Sequence, residues 1–206
     1  MSGIKLVYFD IRGRGEPSRL VLAAAGQQWD DVRIPRDQWS SSSEKANSPY
    51  GQVPYLVYKG KTYGQSNAIA NFLAREFGLY GKSNLEALRI DEVEGLVGDL
   101  IQTMVKARFE QDEAKKAELE KKLATEDLPK FLGLFEKLLK DNGSKGFFVG
   151  NSVTLADLDV FNITDTLLKV NADILASCPE LQKLRSKVAD HPKVKTYLAS
   201  RKDSDF

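Results

Sequence analysis

The chain has 206 residues, 42% of them hydrophobic, with 30 lysines and arginines against 29 aspartates and glutamates for a net charge of +1. This length suits one large or two small domains with a real core, and the even charge argues against nucleic acid or an anionic membrane as the main partner. Cys178 is the single cysteine and His191 the single histidine, which excludes an internal disulfide framework, argues against structural zinc and suits a reducing compartment. No apolar run is long enough to span a membrane, and the N-terminus lacks the basic-then-apolar pattern of a signal peptide, so a cytoplasmic location is expected.

Ile4–Phe9 reads as a strand. Pro17 opens a helix that ends before Gly26, with proline in the first turn and glycine just past the last. Val32 and Ile34 alternate with polar neighbours as a short strand does, and residues 37–49 read as a polar, serine-rich loop. Residues 55–58 and 61–63 flank Lys59-Gly60, a two-residue hairpin signal. Ile69, Phe72, Leu73 and Phe77 then recur at helical spacing. The order β-α-β-loop-β-β-α predicts an α/β domain over residues 1–80. From Gly81 every strong pattern is helical, which predicts an all-α domain over residues 81–206. Its stripes are Leu85, Leu88, Leu96, Leu100, Met104 and Phe109; Leu128, Phe131, Phe135 and Leu138; Leu155, Leu158, Phe161 and Leu168; and Leu181, Leu184 and Val188. The charged run 110–126 reads as solvated helix faces, and Pro129 as a bend or a fresh first turn. Thr154 and Asp157 form a capping box, with Val153 and Leu158 placed as a hydrophobic staple.

Gly51-Gln-Val-Pro-Tyr-Leu and the following Tyr63-Gly-Gln-Ser-Asn-Ala-Ile carry the strongest chemical signal. A cis Val53–Pro54 bond would turn the chain so that the N–H and C=O of Val53 face open space, where a peptide pairs with them as an added strand. The helix starting near Gln65-Ser66 offers free N–H groups and a positive dipole end to a carboxylate. Together they describe a receptor for a small anionic peptide.

Tyr8-Phe-Asp-Ile-Arg-Gly-Arg-Gly-Glu, Trp39, Gly51-Gln-Val-Pro, Gln65-Ser66-Asn-Ala-Ile, Asp99 and the capping box occur in order over essentially the whole chain. In this the sequence resembles the cytosolic glutathione transferases, in particular the sigma class and its nematode members. The resemblance implies a thioredoxin-like N-terminal domain, an all-helical C-terminal domain and a homodimer. It implies an enzyme that joins reduced glutathione, its co-substrate, to small hydrophobic electrophiles, with organic peroxide reduction as a related activity and no permanently bound cofactor.

A free thiol titrates near ~8.5, so such an enzyme must favour the thiolate, which a hydroxyl aimed at sulfur does. Tyr8 matches the family's catalytic tyrosine, with Arg14 reinforcing the thiolate. On the same resemblance the glutathione contacts are Tyr8, Arg14, Trp39, Lys45, Gly51, Gln52, Val53, Gln65, Ser66 and, from the partner subunit of a dimer, the residue equivalent to Asp99. Val53 pairs with the cysteinyl residue, Gln65 and Ser66 hold the γ-glutamyl carboxylate, and Trp39 meets the glycyl end. Counting from Trp39 puts Ser43 at the glycyl-carboxylate position, whereas counting back from Gly51 puts Lys45 there, which is preferred for its charge. Arg75 and Asp91 are candidates for polar contacts between subunits.

Phe9, Arg14, Ile101, Met104, Val105 and Phe206 are expected to line the electrophile pocket. Vertebrate sigma-class prostaglandin D synthases carry extra aspartates where this chain has Gly95 and Gly98, and a pocket tryptophan where it has Lys106; no metal dependence is therefore expected. The alternatives are a glutathione-dependent prostaglandin isomerase and a crystallin-like or ligand-carrying protein without catalysis. Cys178 and His191 read as structural.

Overall fold

The computed structural model describes residues 3–202 and Ser204. Phe206, expected in the electrophile pocket, lies outside the described residues. The chain divides into two compact units. One runs up to Tyr80 and takes back the residues from Val188 on; the other is Gly81–Lys187. The last helix thus packs with the N-terminal unit, where the sequence pattern grouped all of 81–206 together.

The first unit is built from β1 (Ile4–Phe9), α1 (Glu16–Ala25), β2 (Asp30–Ile34), α2 (Ser43–Asn47), β3 (Tyr55–Tyr58), β4 (Lys61–Gly64) and α3 (Ser66–Glu76), with α9 (Pro192–Ser200) returning to it. Its sheet has the order β2-β1-β3-β4. β1 runs parallel to β2, and the other two pairings are antiparallel. Strand β1 has a neighbour on each side and buries Ile4, Leu6, Val7 and Tyr8, so its near-continuous apolar run is that of a central strand. The register sets Val7 opposite Tyr55, and Tyr55 opposite Gly64. The end of β1, the start of β3 and the end of β4 therefore meet at one edge of the sheet.

Residues 36–49 are more ordered than the loop their composition predicts. A 3₁₀ turn over Arg36–Ser41 leads into α2. The Ser42 hydroxyl caps that helix by accepting the Glu44 N–H at 3.2 Å. Glu44 in turn pairs with Lys5 at 2.8 Å and accepts a hydrogen bond from the Tyr55 hydroxyl. Burial opposes ionisation of Glu44, but these two donors outweigh it and lower its carboxyl.

The second unit holds α4 (Asn84–Arg108), α5 (Glu113–Lys122), α6 (Leu128–Asp141), α7 (Leu155–Val170) and most of α8 (Pro179–Asp190). The core face of α4 is Ile90, Val93, Val97, Leu100 and Ala107, whereas Leu85, Leu88 and Phe109 are exposed. The stripe drawn from leucine spacing was thus partly out of phase, because α4 carries two apolar faces and only one meets this unit's core. Residues Leu123–Asp127 form a π turn that lets Pro129 fall in the first turn of α6. There its missing N–H breaks no helical bond. Asp157 accepts from the Thr154 N–H at 2.6 Å, the Thr154 hydroxyl at 2.7 Å and the Phe148 N–H at 2.8 Å, all buried.

Glu94 of α4 and Asp159 of α7 are neighbouring carboxyls. Burial, then the charges of Asp159 and Asp91, raise the Glu94 carboxyl well above the usual carboxylate range; burial raises Asp159 as well. A raised acid holds its proton longer in the folded chain, so stability is full at low pH and falls as pH rises toward the raised value. The expected slope is about 1.4 kcal/mol per pH unit while one proton is at stake. Glu94→Gln removes this titration at nearly constant side-chain volume. Urea midpoints taken across pH should fall with rising pH in the wild type and fall less steeply in the variant, where Asp157 and Asp159, raised by burial to about 7 and about 6, still titrate. An equally steep slope in both would place the pH dependence elsewhere.

Candidate functional site

At the shared sheet edge, Tyr8 is buried, 6% exposed. Its hydroxyl oxygen accepts the Arg14 N–H at 3.0 Å. The tyrosine's own O–H hydrogen is then available to another acceptor. The loop gets this close because two positions carry no side chain. A Cβ at residue 13 would stand 2.7 Å from the Tyr8 oxygen, and one at residue 15 would stand 2.6 Å from the ring. Both are closer than real Cβ atoms come, so Gly13 and Gly15 are required by the contact.

Arg14, Tyr50, Gln52, Val53, Pro54, Gly64, Gln65 and Ser66 line one cleft. Five of the residues predicted from sequence, Arg14, Gln52, Val53, Gln65 and Ser66, are thus brought together. The Val53–Pro54 bond is cis. Among the described residues, the Val53 N–H and C=O enter no backbone hydrogen bond. Gln65 lies at φ 72°, ψ 109°, a conformation that costs a non-glycine residue roughly 1–3 kcal/mol. It precedes α3 and makes no side-chain cap, so the first-turn N–H groups of that helix stay open toward an anion.

Ser48, behind this cleft, and Tyr50, in its lining, gave no sequence signal. Ser48 donates to the Gln52 C=O and accepts the Gln52 N–H at 2.9 Å, which fixes the wall before Val53. Tyr50 is 64% exposed, and its ring lies where a Cβ at Gly64 would come within 2.7 Å. Serine and tyrosine in a polar loop are too common to single these two out.

The remaining predicted residues sit elsewhere. Gly51 is exposed beside the cleft. Trp39 packs with Val53 against the cluster of Val7, Ile34 and Tyr55, and meets the Phe9 ring edge-on at 6.0 Å. Phe9 is half-buried, with its ring 5.4 Å from that of Tyr8. Lys45 and Ser43 are exposed on α2. Arg75 lies over the Tyr80 ring, 4.1 Å from its centroid. In the second unit, Asp91, Asp99, Val105 and Lys106 are exposed on α4, and Ile101 and Met104 are half-buried. Among the described residues no cluster of histidine, cysteine, aspartate or glutamate is arranged to hold a metal. Cys178 is buried, which raises its thiol; burial lowers His191, which precedes α9. Another cavity, about 680 Å³ and lined by Trp29, Arg33, Tyr197 and Arg201 among others, contains none of the predicted site residues.

The model of the glutathione S-transferase N-terminal domain matches residues 4–75, and that of the C-terminal domain matches residues 98–201. A probable glutathione S-transferase of Caenorhabditis elegans is 37% identical, covering 98% of each chain. The chain belongs to the glutathione S-transferase family. An S-crystallin of Nototodarus sloanii is 35% identical over the whole of both chains. The structure of a prostaglandin synthase D of Nilaparvata lugens superposes with a TM-score of 0.88 at 33% identity, covering 98% of this chain and 99% of that one. As a transferase of this family, the chain takes glutathione as co-substrate, and its fold is the family's mixed four-stranded sheet with helices followed by a helical C-terminal part.

The strained backbone of Gln65 makes this position a test of ligand binding against stability. Gln65→Gly relieves the backbone and removes the amide. Its Tm should equal or exceed the wild type's, while KM for glutathione rises about tenfold, the worth of one hydrogen bond of about 1.4 kcal/mol. A lowered Tm with an unchanged KM would show that the side chain serves the fold alone.

Proposed function

We propose that the chain conjugates glutathione to hydrophobic electrophiles, with the Tyr8 hydroxyl stabilising the bound thiolate and Arg14 adding positive charge. The observation that carries this reading is the Arg14 N–H bond to the Tyr8 oxygen, which fixes the phenol beside the cleft and frees its hydrogen for sulfur. Within the cleft, Val53 pairs with the cysteinyl backbone, and Gln65, Ser66 and the start of α3 take the γ-glutamyl carboxylate. Lys45 meets the glycyl carboxylate: it is exposed on α2, whose partner Glu44 anchors that helix to Lys5 and Tyr55. Trp39, partly buried against the cluster of Val7, Ile34 and Tyr55, takes the glycyl end. Ile101, Met104 and Val105, half-buried or exposed along one stretch of α4, are the electrophile contacts of the helical unit. Organic peroxide reduction follows from the same thiolate.

We assign the chain to the sigma class, to a detoxifying role in the cytoplasm and to a homodimer. Leu85, Leu88, Glu92, Gly95, Asp99 and Gln102 recur at three- and four-residue spacing along one exposed face of α4, which supports that assembly. Leu85 is 76% exposed and Leu88 56%. A Cβ at Gly95 meets nothing within 4 Å, so glycine there answers no demand within the subunit although it costs a helix interior about 1 kcal/mol. A second helix approaching closely would supply the demand, with Asp99 reaching toward the partner's γ-glutamyl amine. A second reading, a glutathione-dependent isomerase, draws on the similarity to a prostaglandin synthase; Lys106 at the expected pocket position speaks against it.

Two measurements test these readings. Tyr8→Phe should lower kcat/KM with an activated aryl halide about a hundredfold, the size of effect of removing one donor to a developing anion, while glutathione still binds. Unchanged turnover would remove Tyr8 from the chemistry, and retention on immobilised glutathione without wild-type turnover would favour a crystallin-like binder. Gly95→Leu should shift light scattering from dimer to monomer mass, and the monomer should lose affinity for glutathione. A monomeric wild type with full activity would overturn the shared site.

A further inference from the structure

The loop that positions Tyr8 is itself held from the far end of the chain. Glu16 follows Gly15 directly and has a fully buried side chain. Its carboxylate accepts the Tyr197 hydroxyl at 3.0 and 3.1 Å and the Arg201 guanidinium at 3.2 Å, and pairs with the equally buried Arg19 at 3.4 Å. The Glu16 N–H bonds the Arg12 C=O at 3.0 Å, closing the turn that contains Gly13, Arg14 and Gly15. The Arg12 N–H donates to the Ser204 hydroxyl at 3.2 Å. Arg19 also donates to the Ile11 C=O at 2.8 Å and the Phe9 C=O at 3.4 Å, and Lys202 pairs with Asp10 at 3.0 Å. Both ends of the turn over Tyr8 are therefore tied by groups some 180 to 190 residues downstream, all within one compact unit.

We infer that Tyr197, Arg201, Lys202 and Ser204 form a C-terminal strap that, through the positioning residue Glu16, holds the Arg14 N–H on Tyr8 and so sets how strongly the bound thiolate is stabilised. This inference rests on the thiolate reading of Tyr8. None of these residues touches the cleft that takes glutathione, so the strap acts on the sulfur through the loop and leaves the peptide's anchors alone. Burial, then the neighbouring Glu16 charge, push the Tyr197 phenol upward, which keeps it a donor across the working pH range.

The test uses the full-length protein with Tyr197→Phe, Arg201→Met and the pair together. Tyr197→Phe retains the ring that stands 6.0 Å from Trp29 and removes only the donor. Thiolate absorbance of bound glutathione, titrated against pH, should shift its midpoint upward by about one unit in the double variant, matched by about a tenfold fall in kcat at neutral pH. KM for glutathione should stay within about twofold, because the cleft is untouched. Arg201→Lys should recover part of the shift. A Tm that falls while the midpoint stays at the wild-type value would make the strap a purely structural clasp and overturn the inference. Tyr8→Phe separates the two claims: if it titrates like the wild type, the Tyr8 reading fails and the strap loses its object. If Tyr8→Phe raises the midpoint and the strap variants do not, the strap alone is wrong.

Discussion

The Arg14 N–H bond to the Tyr8 oxygen is the contact on which the candidate chemistry turns, and it depends on three conditions at once. Positions 13 and 15 must be bare, since a Cβ at either would collide with the tyrosine. Tyr8 must stand next to the end of a central strand, where its side chain is buried. The turn itself must be pinned, because a loop with two glycines has more conformational freedom to lose than any other. A phenol placed this way does not have to find its partner in the transition state. It is oriented before the ligand arrives, which is where electrostatic stabilisation gains most of its strength.

Glu16 provides much of the pinning, and the choice of a buried carboxylate is informative. An uncompensated buried charge is expensive, and breaking such a pair costs about 3–5 kcal/mol, whereas apolar replacements of the whole set are often neutral. Stability alone therefore does not explain why an acid occupies the first turn of α1. Geometry does: each oxygen of Glu16 has a directional donor, Tyr197 and Arg201 on one, Tyr197 and Arg19 on the other. Hydrocarbon side chains would fill the same volume with far looser angular constraint on the turn.

The local parts of this arrangement were legible in the amino-acid sequence. Ile4–Phe9 has the pattern of a buried strand, and Pro17 and Gly26 bracket α1, because those signals act within a few residues. The cis turn at Val53–Pro54 and the helix start at Ser66 were readable from Pro54 and the Gln65-Ser66 pair. What escaped depends on distant partners. α2 rests on Glu44 meeting Lys5 and Tyr55, 39 and 11 residues away, and nothing in its serine-rich sequence announces them. The face that α4 buries was ambiguous because its leucines and its Ile90-Val93-Val97 set are both apolar at helical spacing, and only packing against the rest of its unit decides between them. Glu16 carried no signal beyond its place at the end of the Tyr8–Glu16 motif, since its partners lie 181 and 185 residues downstream.

The start of α3 shows the same logic applied in reverse. Helices normally satisfy their first-turn N–H groups with a cap or dispense with one through proline. Among the described helices, Ser42, Ser83 and Asp112 cap α2, α4 and α5, and a capping box opens α7. Pro17, Pro129 and Pro192 stand in the first turn of α1, α6 and α9, and α8 opens on Pro179 with Glu136 accepting its next two N–H groups. Only α3 has neither device. Its Ncap is Gln65, whose side chain makes no cap and whose backbone is strained. A serine or aspartate in that place would add about 1 kcal/mol of stability, but its oxygen would occupy the N–H groups that a ligand carboxylate needs. Gln65 instead leaves those N–H groups uncapped, and the strand end at Gly64 and the Ile69 N–H bond to the Gln65 C=O flank its strained backbone on either side. Stability left unrealised at one helix terminus is thus the physical counterpart of a seat kept open for an anion.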